Sequence, residues 1–568
     1  MSWIFGALKK DESRLKHIAD IHPAPIHKIV SNKLYLAIGG NHSTVTYDSS
    51  KIDYQFFICG LPISQDAAGI LTREDWTGIF SNSTENIRNI NGHFCGVLLK
   101  ADSILLFTDK LGLREFHIYE DENCYYFSSR LDYLLKLGKF EINFAEFGSR
   151  WLSVNQLSRK SIVKNIIRLN CGAYAIIKNG KCKIPPYNWI PKNSIPLTTD
   201  EFSNKLKRLV LLEKNKDLKL SLGLSGGMDS RVILSYLLAS QHTNWNCHTF
   251  QTEDSMDVQI AESISEDFNI QHEKIYNKML HDYEIVREVT EYIGNTYLCE
   301  SGFNSHKLMS YESFKNGEII IDGGFGEIWR REFLARLYYL GRKHIKNNNY
   351  DVIANLLSLN RAEIFNEEYL AIMREGMYYQ IENLFQFLPP VEEIQVGNWL
   401  DLFALKTRLP NYYGAEQSRL DKYITSYMPF IQPYLLDDLL NISCGVRNNN
   451  RLFRKIIRSN YPQLTRYRLA KGNISYPYHL TTLQKRIYFK VHSRGNKPNP
   501  HNELNKYLYS MREFAMDSIH SHSTKEYAAY DYNKIFNKVN SFYEGNSSES
   551  GFVDWFISFE IFRQLIES

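Results

Sequence analysis

The stretch Ser225-Gly226-Gly227-Met228-Asp229-Ser230 constrains this chain more than any other, because of what flanks it. Leu218 to Leu224 is a short apolar run bounded by small residues, which predicts a strand. Arg231 to Ala239 carries the apolar spacing of the helix that follows. Two glycines at a strand-to-helix turn let backbone N–H groups approach a phosphate closely. The helix N-terminus adds partial positive charge, and the serine hydroxyls donate further bonds. Asp229, in the same turn, is placed to hold a divalent cation on those phosphates. The plain alternative is a glycine-rich turn that only packs a helix on a sheet, and the strand–loop–helix context speaks against it. The Gly-Lys-Ser/Thr ending of a Walker loop is absent.

At 568 residues the chain has room for two to four domains, each with a full core. Hydrophobic residues at 43% and charged residues at 23% fit a soluble globular protein. A net charge of +4 over this length implies no polyanionic partner, so no nucleic acid is expected. The 37 tyrosines and 32 phenylalanines are read as core and interface. Cysteines 59, 95, 124, 171, 182, 247, 299 and 444 form no Cys-x-x-Cys pair, which argues against a zinc site and a disulfide framework. No run of 18 apolar residues and no signal-peptide core is present, so no membrane partner and a cytoplasmic location are expected.

The first 180 residues read mainly as strands: 34–38, 55–58, 96–99 and 104–107, each ending near a turn residue. Pro185, Pro186, Pro191 and Pro196 interrupt ladder and helix alike, and the domain seam is placed there, giving domains 1–190 and 191–568. Beyond it, strands at 246–250 and 318–322 alternate with helical stretches, which implies a parallel α/β sheet. From about residue 330 the pattern is mostly helical, and Trp555, Phe556, Phe559 and Phe562 read as helix core.

Several further segments follow the glycine loop in a fixed order: Asp257 to Ala261 with His272-Glu273, Asp322-Gly323-Gly324-Phe325-Gly326-Glu327, Pro429 to Pro433, Arg451 to Lys455, and Arg468 to Gly472. Together they resemble the landmarks of the asparagine synthetase superfamily, over roughly residues 187 to 480. The resemblance implies a parallel-sheet ATP-pyrophosphatase (adenine nucleotide α-hydrolase-like) synthetase domain with a helical C-terminal part. It implies ATP contacts from Leu224, Ser225, Gly226, Gly227, Asp229, Ser230, Phe250, Gly323 and Gly324. Asp229 and Glu327 stand where relatives hold Mg²⁺, and Lys471 matches a lysine that stabilises charge on the phosphate and the amine adduct. Lys471 and Glu327 are thus the expected catalytic residues. The third loop departs from the family, with Gly324 where relatives carry Glu or Tyr. The cations Arg330, Arg331, Arg336, Arg342, Lys343 and Lys346 could grip an anionic or peptide substrate, but a basic stripe at helical spacing is more often a solvated face, which is the reading favoured.

The N-terminal half resembles the family's Ntn-type glutaminase, a β-sandwich. Asn91-Gly92-His93-Phe94 matches the oxyanion-hole segment, and Asp109 to Arg114 and Phe127 to Arg130 match later landmarks. Glutamine-using members begin Met-Cys-Gly-Ile, whereas here Ser2 and Trp3 follow Met1. The fold is therefore expected without the glutaminase. The expected function is AMP-forming amide synthesis: Mg-ATP adenylates a small-molecule or peptide carboxylate, which an amine or ammonia attacks. Alternatives are a macrolactam cyclase akin to lasso-peptide cyclases and β-lactam synthetases, and a non-catalytic nucleotide-binding regulator. A homodimer partner is considered, with nothing in the sequence to fix it.

Overall fold

The computed structural model describes residues 2–10, 18, 20–192, 194–215, 217–240, 242–251, 255–276, 282–294, 301–303, 311, 314, 318–359, 361–421, 423–472, 474–492 and 501–567. Cys299 lies outside them.

Alternating apolar residues in the first 183 positions build two antiparallel six-stranded sheets. One runs Ile166–Arg168, His117–Glu120, Cys124–Ser128, Trp3–Lys9, Leu34–Gly39, His27–Val30. The other runs Lys181–Lys183, Tyr174–Lys178, Ser103–Thr108, Asn91–Lys100, Tyr54–Ile63, Val45–Asp48. The period of two assigns each strand's faces. Ile4, Ile38, Phe57, Cys59, Cys95, Val97 and Phe127 form the core between the sheets. On the outer face of the second sheet, Phe56, Ile58 and Phe94 pack on Trp76 and Phe80 of the helix Arg73–Asn82. That helix begins at a capping box made by Thr72 and Asp75. The outer face of the first sheet, Trp3, Phe5 and Ala7, shares a core with helices near the other end of the chain, including Ser550–Glu567.

A five-stranded sheet follows in the order His272–Tyr276, Trp245–Gln251, Lys219–Gly223, Glu318–Ile321, Thr425–Tyr427, and all four pairings are parallel. Its strands read as continuous apolar runs because helices cover both faces. Met228–Ala239 is buried along most of its length, as a helix against such a sheet must be. Residues beyond 330 are predominantly helical. The chain is thus mixed α/β, with a parallel sheet and a helical C-terminal part. The sequence-read strands at 34–38, 55–58, 96–99, 104–107 and 246–250 lie within observed strands, and the one at 318–322 runs one residue past the observed Glu318–Ile321.

The proline-rich stretch from 184 to 198 carries no regular element among its described residues. Contacts cross it freely. Leu61, Ile63, Leu111, Leu113 and Leu157 belong to the same core as the five-stranded sheet. Lys110 pairs with Asp437 at 2.7 Å, and Arg114 forms a buried ion pair with Asp421. Among the described residues no helix is long and apolar enough to cross a membrane.

Candidate functional site

The parallel strand Lys219–Gly223 ends on the loop Leu224–Gly227, and the helix Met228–Ala239 starts directly after it. In open parallel sheets, ligands bind beyond the carboxyl ends of the strands, near the middle of the sheet. Lys219–Gly223 is the central strand. Leu224 anchors the loop: its N–H donates to the His248 carbonyl (2.9 Å), and its carbonyl accepts from Thr249 Oγ1 (2.7 Å). Ser225 and Ser230 close the turn: Ser230 Oγ accepts from the Ser225 N–H, and the two hydroxyls stand 3.2 Å apart. The Gly227 N–H donates to Ser225 Oγ at 3.2 Å, and the Gly226 N–H to Asp257 Oδ1 at 2.7 Å.

The two glycines do different work. A Cβ on Gly226 would lie 2.5 Å from the Ala470 Cβ, so this position is glycine because the strand Leu469–Lys471 crosses it. The Ala470 N–H donates to the Gly226 carbonyl at 2.9 Å, which fixes that crossing. A Cβ on Gly227 would meet only Ser225 Oγ, at 3.1 Å, so the loop's open side is at Gly227. Arg231, fully buried, donates to the carbonyls of Tyr467 (2.9 Å) and Arg468 (2.7 Å). The glycine loop and its helix thereby hold the segment that carries exposed Lys471.

The third loop closes on Asp229. A Cβ at Gly323 would come within 2.7 Å of the Asp229 Cβ, and one at Gly326 within 2.4 Å of its Oδ1. Only glycine at both positions lets the two loops meet. A side chain at Gly324 would strike Met428 Sδ at 2.3 Å, so the departure from the family pattern there is a packing requirement. Phe325 (φ 63°), Arg331 (φ 57°) and Leu334 (φ 53°) all adopt left-handed backbone, a concentration of strain that typifies functional loops.

Arg330 sits on this loop and grips Asp229 with both arms of its guanidinium: Nε to Oδ1 at 2.8 Å and Nη2 to Oδ2 at 2.6 Å. Its Nη1 reaches Glu332 at 2.8 Å, and Glu332 is shared with Lys485 at 3.4 Å. Burial pushes the Asp229 carboxyl up to about 6, with Arg330 pulling it down and Glu327 adding to the rise. Arg330 and Lys485 hold Glu332 below the usual range against its burial, with Lys471 contributing. No hydrogen bond engages the Glu327 carboxylate among the described residues. Burial likewise raises Asp322 to about 6, although it accepts the Gly324 N–H. Phe250 stands two residues beyond His248, ringed by His248 and Tyr311 at centroid distances of 5.5 and 4.6 Å.

The sequence-derived residues therefore converge. Asp229, Glu327 and the glycines of both loops meet, and Lys471 lies within electrostatic reach through Glu332. The solvated-face reading of the basic stretch needs correction. Arg330 and Arg331 are turned inward, Arg331 pairing with buried Asp401 at 3.1 Å, whereas Arg336, Arg342, Lys343 and Lys346 are exposed. Residues 326–330 form a single 3-10 turn between left-handed residues, so helical spacing did not apply there. Arg231 and Asp257 were also not read as loop supports. Arg231's place on the first turn of a buried helix was the available signal.

In the N-terminal half, Ser2 is fully buried, and Arg114 Nη2 donates to its Oγ at 2.7 Å and its carbonyl at 2.6 Å. The Gly92 N–H donates to Gln432 Oε1 at 2.6 Å. Asn91 Oδ1 accepts from the Tyr434 N–H at 2.8 Å, and its amide donates to the Ser64 and Gln65 carbonyls.

Residues 201–315 match the asparagine synthase family. No curated protein matches the chain. Among solved structures, glutamine phosphoribosylpyrophosphate amidotransferase from B. subtilis, complexed with ADP and GMP, matches at 11% identity and a TM-score of 0.22. That match covers 58% of this chain and 71% of that one. A structure described as the allosteric regulatory enzyme of purine biosynthesis matches at 11% identity and the same TM-score of 0.22, covering 60% and 72%. The matched segment runs from the helix ahead of the glycine loop through the first three strands of the parallel sheet, and this similarity supports membership of the chain in the asparagine synthetase superfamily.

Proposed function

We propose that this protein is an ATP-dependent, AMP-forming amide synthetase that does not hydrolyse glutamine. Its five-stranded half is read as the ATP-pyrophosphatase domain and its two-sheet half as a glutaminase-like Ntn sandwich. The observation that carries the reading is the meeting of two loops on Asp229, made possible by Gly323 and Gly326. The site's chemistry follows from charge. Attack of a carboxylate on the α-phosphate of ATP brings like charges together, which a cation must screen. Mg²⁺ binds through one or two carboxylates plus substrate phosphates, so the pair Asp229 and Glu327 fits it. Bound there, it would supply charge neutralisation at the phosphates.

The chain's own residues do the rest. An anion on the loop exchanges the 3.2 Å Gly227–Ser225 bond for a stronger charge-assisted one. Arg330, held between Asp229 and Glu332, adds fixed positive charge. Lys471, on the strand crossing Gly226, supplies a cation toward the oxygen that gains charge as the amine adds.

The loss of glutamine hydrolysis is supported by saturation of the residues that resemble a glutaminase. The Ser2 hydroxyl is bound by Arg114, the Gly92 N–H by Gln432, and both ends of the Asn91 carboxamide have partners. The amine is then ammonia from solution or a group on the substrate itself, the second case being cyclisation of macrolactam or β-lactam type. A non-catalytic regulator is the competing class, and the two-armed grip of Arg330 on Asp229 favours it. Pyrophosphate release, screened with amino-acid and peptide carboxylates plus ammonia, separates them. Release dependent on carboxylate supports the synthetase, and nucleotide binding without any release supports the regulator.

A further inference from the structure

A cavity of about 390 Å³ lies away from the nucleotide loop and contains none of its residues. Its walls come from the chain around residues 157–160 and 170–171, the proline-rich stretch at 187–189, and the helices Glu367–Phe387 and Val391–Arg408. The size is that of a small-molecule pocket. Tyr187, Trp189, Tyr379 and Phe387 give it an aromatic lining.

Its charge is out of balance. Arg159 lines it at 9% exposure, yet every bond it makes is to a neutral oxygen at 3.3–3.4 Å: the Pro410 and Leu169 carbonyls and Asn411 Oδ1. Its Nε, closed to solvent, has no acceptor among the described residues, so the Nη atoms are the ones left to a ligand. Lys406 also lines the cavity, and its ammonium donates only to Asn188 Oδ1 (3.0 Å) and the Trp189 carbonyl, beside the Trp189 ring at 5.5 Å. No carboxylate among the described residues bonds either cation. The nearby acids are engaged elsewhere. Glu115 pairs with Arg168, Asp109 accepts the N–H groups of Leu111, Leu113 and Arg114, and Glu146, itself on the cavity wall, accepts from Ser158 and faces Lys160, also on the wall, at 3.5 Å, which leaves Arg159 and Lys406 as the excess charge. Burial pushes Arg159 down to about 10, with Arg168 adding to the shift, and burial lowers Lys406. A buried guanidinium is costly unless a charge-assisted partner completes it.

We propose that this cavity is a second ligand site, for a small organic anion that sets a carboxylate between Arg159 and Lys406 and an aromatic body against Trp189 and Tyr379. A carboxylate supplies the two-oxygen acceptor that a guanidinium fork matches. The apolar surface of Trp189, Tyr379 and Phe387 suits an organic body better than a bare inorganic ion.

Calorimetry of the full chain with 3-phenylpropanoate, set against the neutral 3-phenylpropanamide, tests this. The expected result is one site per chain for the acid and at least tenfold weaker binding of the amide. Arg159→Met is expected to bring acid binding down to the level of the amide. Asn383→Phe fills the cavity while leaving both cations in place, and is expected to abolish binding of either compound. Because Asn383 is partly exposed on its helix, this variant keeps the test valid if Arg159→Met fails to fold. Bound acid should also slow alkylation of Cys171, on the cavity wall, and leave Cys182 unaffected. Equal affinity for acid and amide, undiminished binding in Asn383→Phe, or no saturable heat up to 10 mM acid would each overturn the proposal.

Discussion

The Arg330 guanidinium donates to both carboxylate oxygens of Asp229, at 2.8 and 2.6 Å, and so ties the third loop to the first turn of the helix after the glycine loop. The pair is largely buried, at 10% and 19% side-chain exposure, so it is worth more than a surface bridge and breaking it leaves an uncompensated charge. It also sets up a contest: a divalent cation at Asp229 has to share that carboxylate with Arg330.

Arg330→Met decides what the contest means. If Arg330 contributes fixed charge to the phosphates, the variant loses pyrophosphate release by about 10²–10³, the range for removing one preorganised charge. If Arg330 only blocks Asp229, release rises instead. Arg330→Lys should not rescue it, because a single ammonium cannot span Asp229 and Glu332 as the planar fork does.

Asp229→Ala and Glu327→Ala are each expected to abolish carboxylate-dependent pyrophosphate release, with circular dichroism unchanged for Glu327→Ala, whose carboxylate has no hydrogen bond among the described residues. Full turnover in Glu327→Ala would remove that residue from the site.

Lys471→Met separates the two half-reactions. Amide formation should fall by about 10²–10³, while ATP binding stays measurable by calorimetry. Wild-type amide formation in this variant would remove Lys471 from the catalytic site.

Glutamine should not be hydrolysed. The Ser2 hydroxyl is buried and bonded to Arg114, so no glutamate should appear from glutamine. Glutamate release that disappears in Ser2→Ala would be the contrary result.

His248 gives a pH signature. It is 1% exposed, bonded to Ser221 Oγ at 2.8 Å, and burial pushes it down to about 3, with His272 adding to the shift. As pH falls below the unfolded value of about 6.5, the unfolded chain takes the proton first. Stability is thus fully present above that pH and is lost progressively toward about 3, by up to about 1.4 kcal/mol per pH unit. The urea midpoint of His248→Asn should fall less steeply than that of the wild type between pH 6.5 and 4. Equal slopes would show that His248 titrates alike in both states.

What the sequence made legible was local. The run from Leu218 to Ala239 announces strand, loop and helix within one window, and the structure gives Lys219–Gly223 and Met228–Ala239. Lys471 was placed by its order among landmarks, and the Ala470–Gly226 bond brings its strand to the loop. Arg330 was misread because a 3-10 turn between left-handed residues has no helical face to be solvated. The Cys59–Cys95 contact, 3.4 Å between neighbouring strands, and the Arg159 cavity arise from pairings between distant segments that no window of sequence displays.

The shared core of Trp3, Phe5 and Ala7 with Phe556, Phe559 and Phe562 has a consequence for synthesis of the chain. The strand Trp3–Lys9 meets Tyr133 early in synthesis, but their shared core is closed only once the helix Ser550–Glu567 has been made. At ~5–20 residues per second, that core waits on the order of half a minute to two minutes to be closed, its remaining apolar surface open to aggregation. Loss of the helix Ser550–Glu567 would therefore lower the yield of soluble protein first, before any effect on a nucleotide site it does not touch.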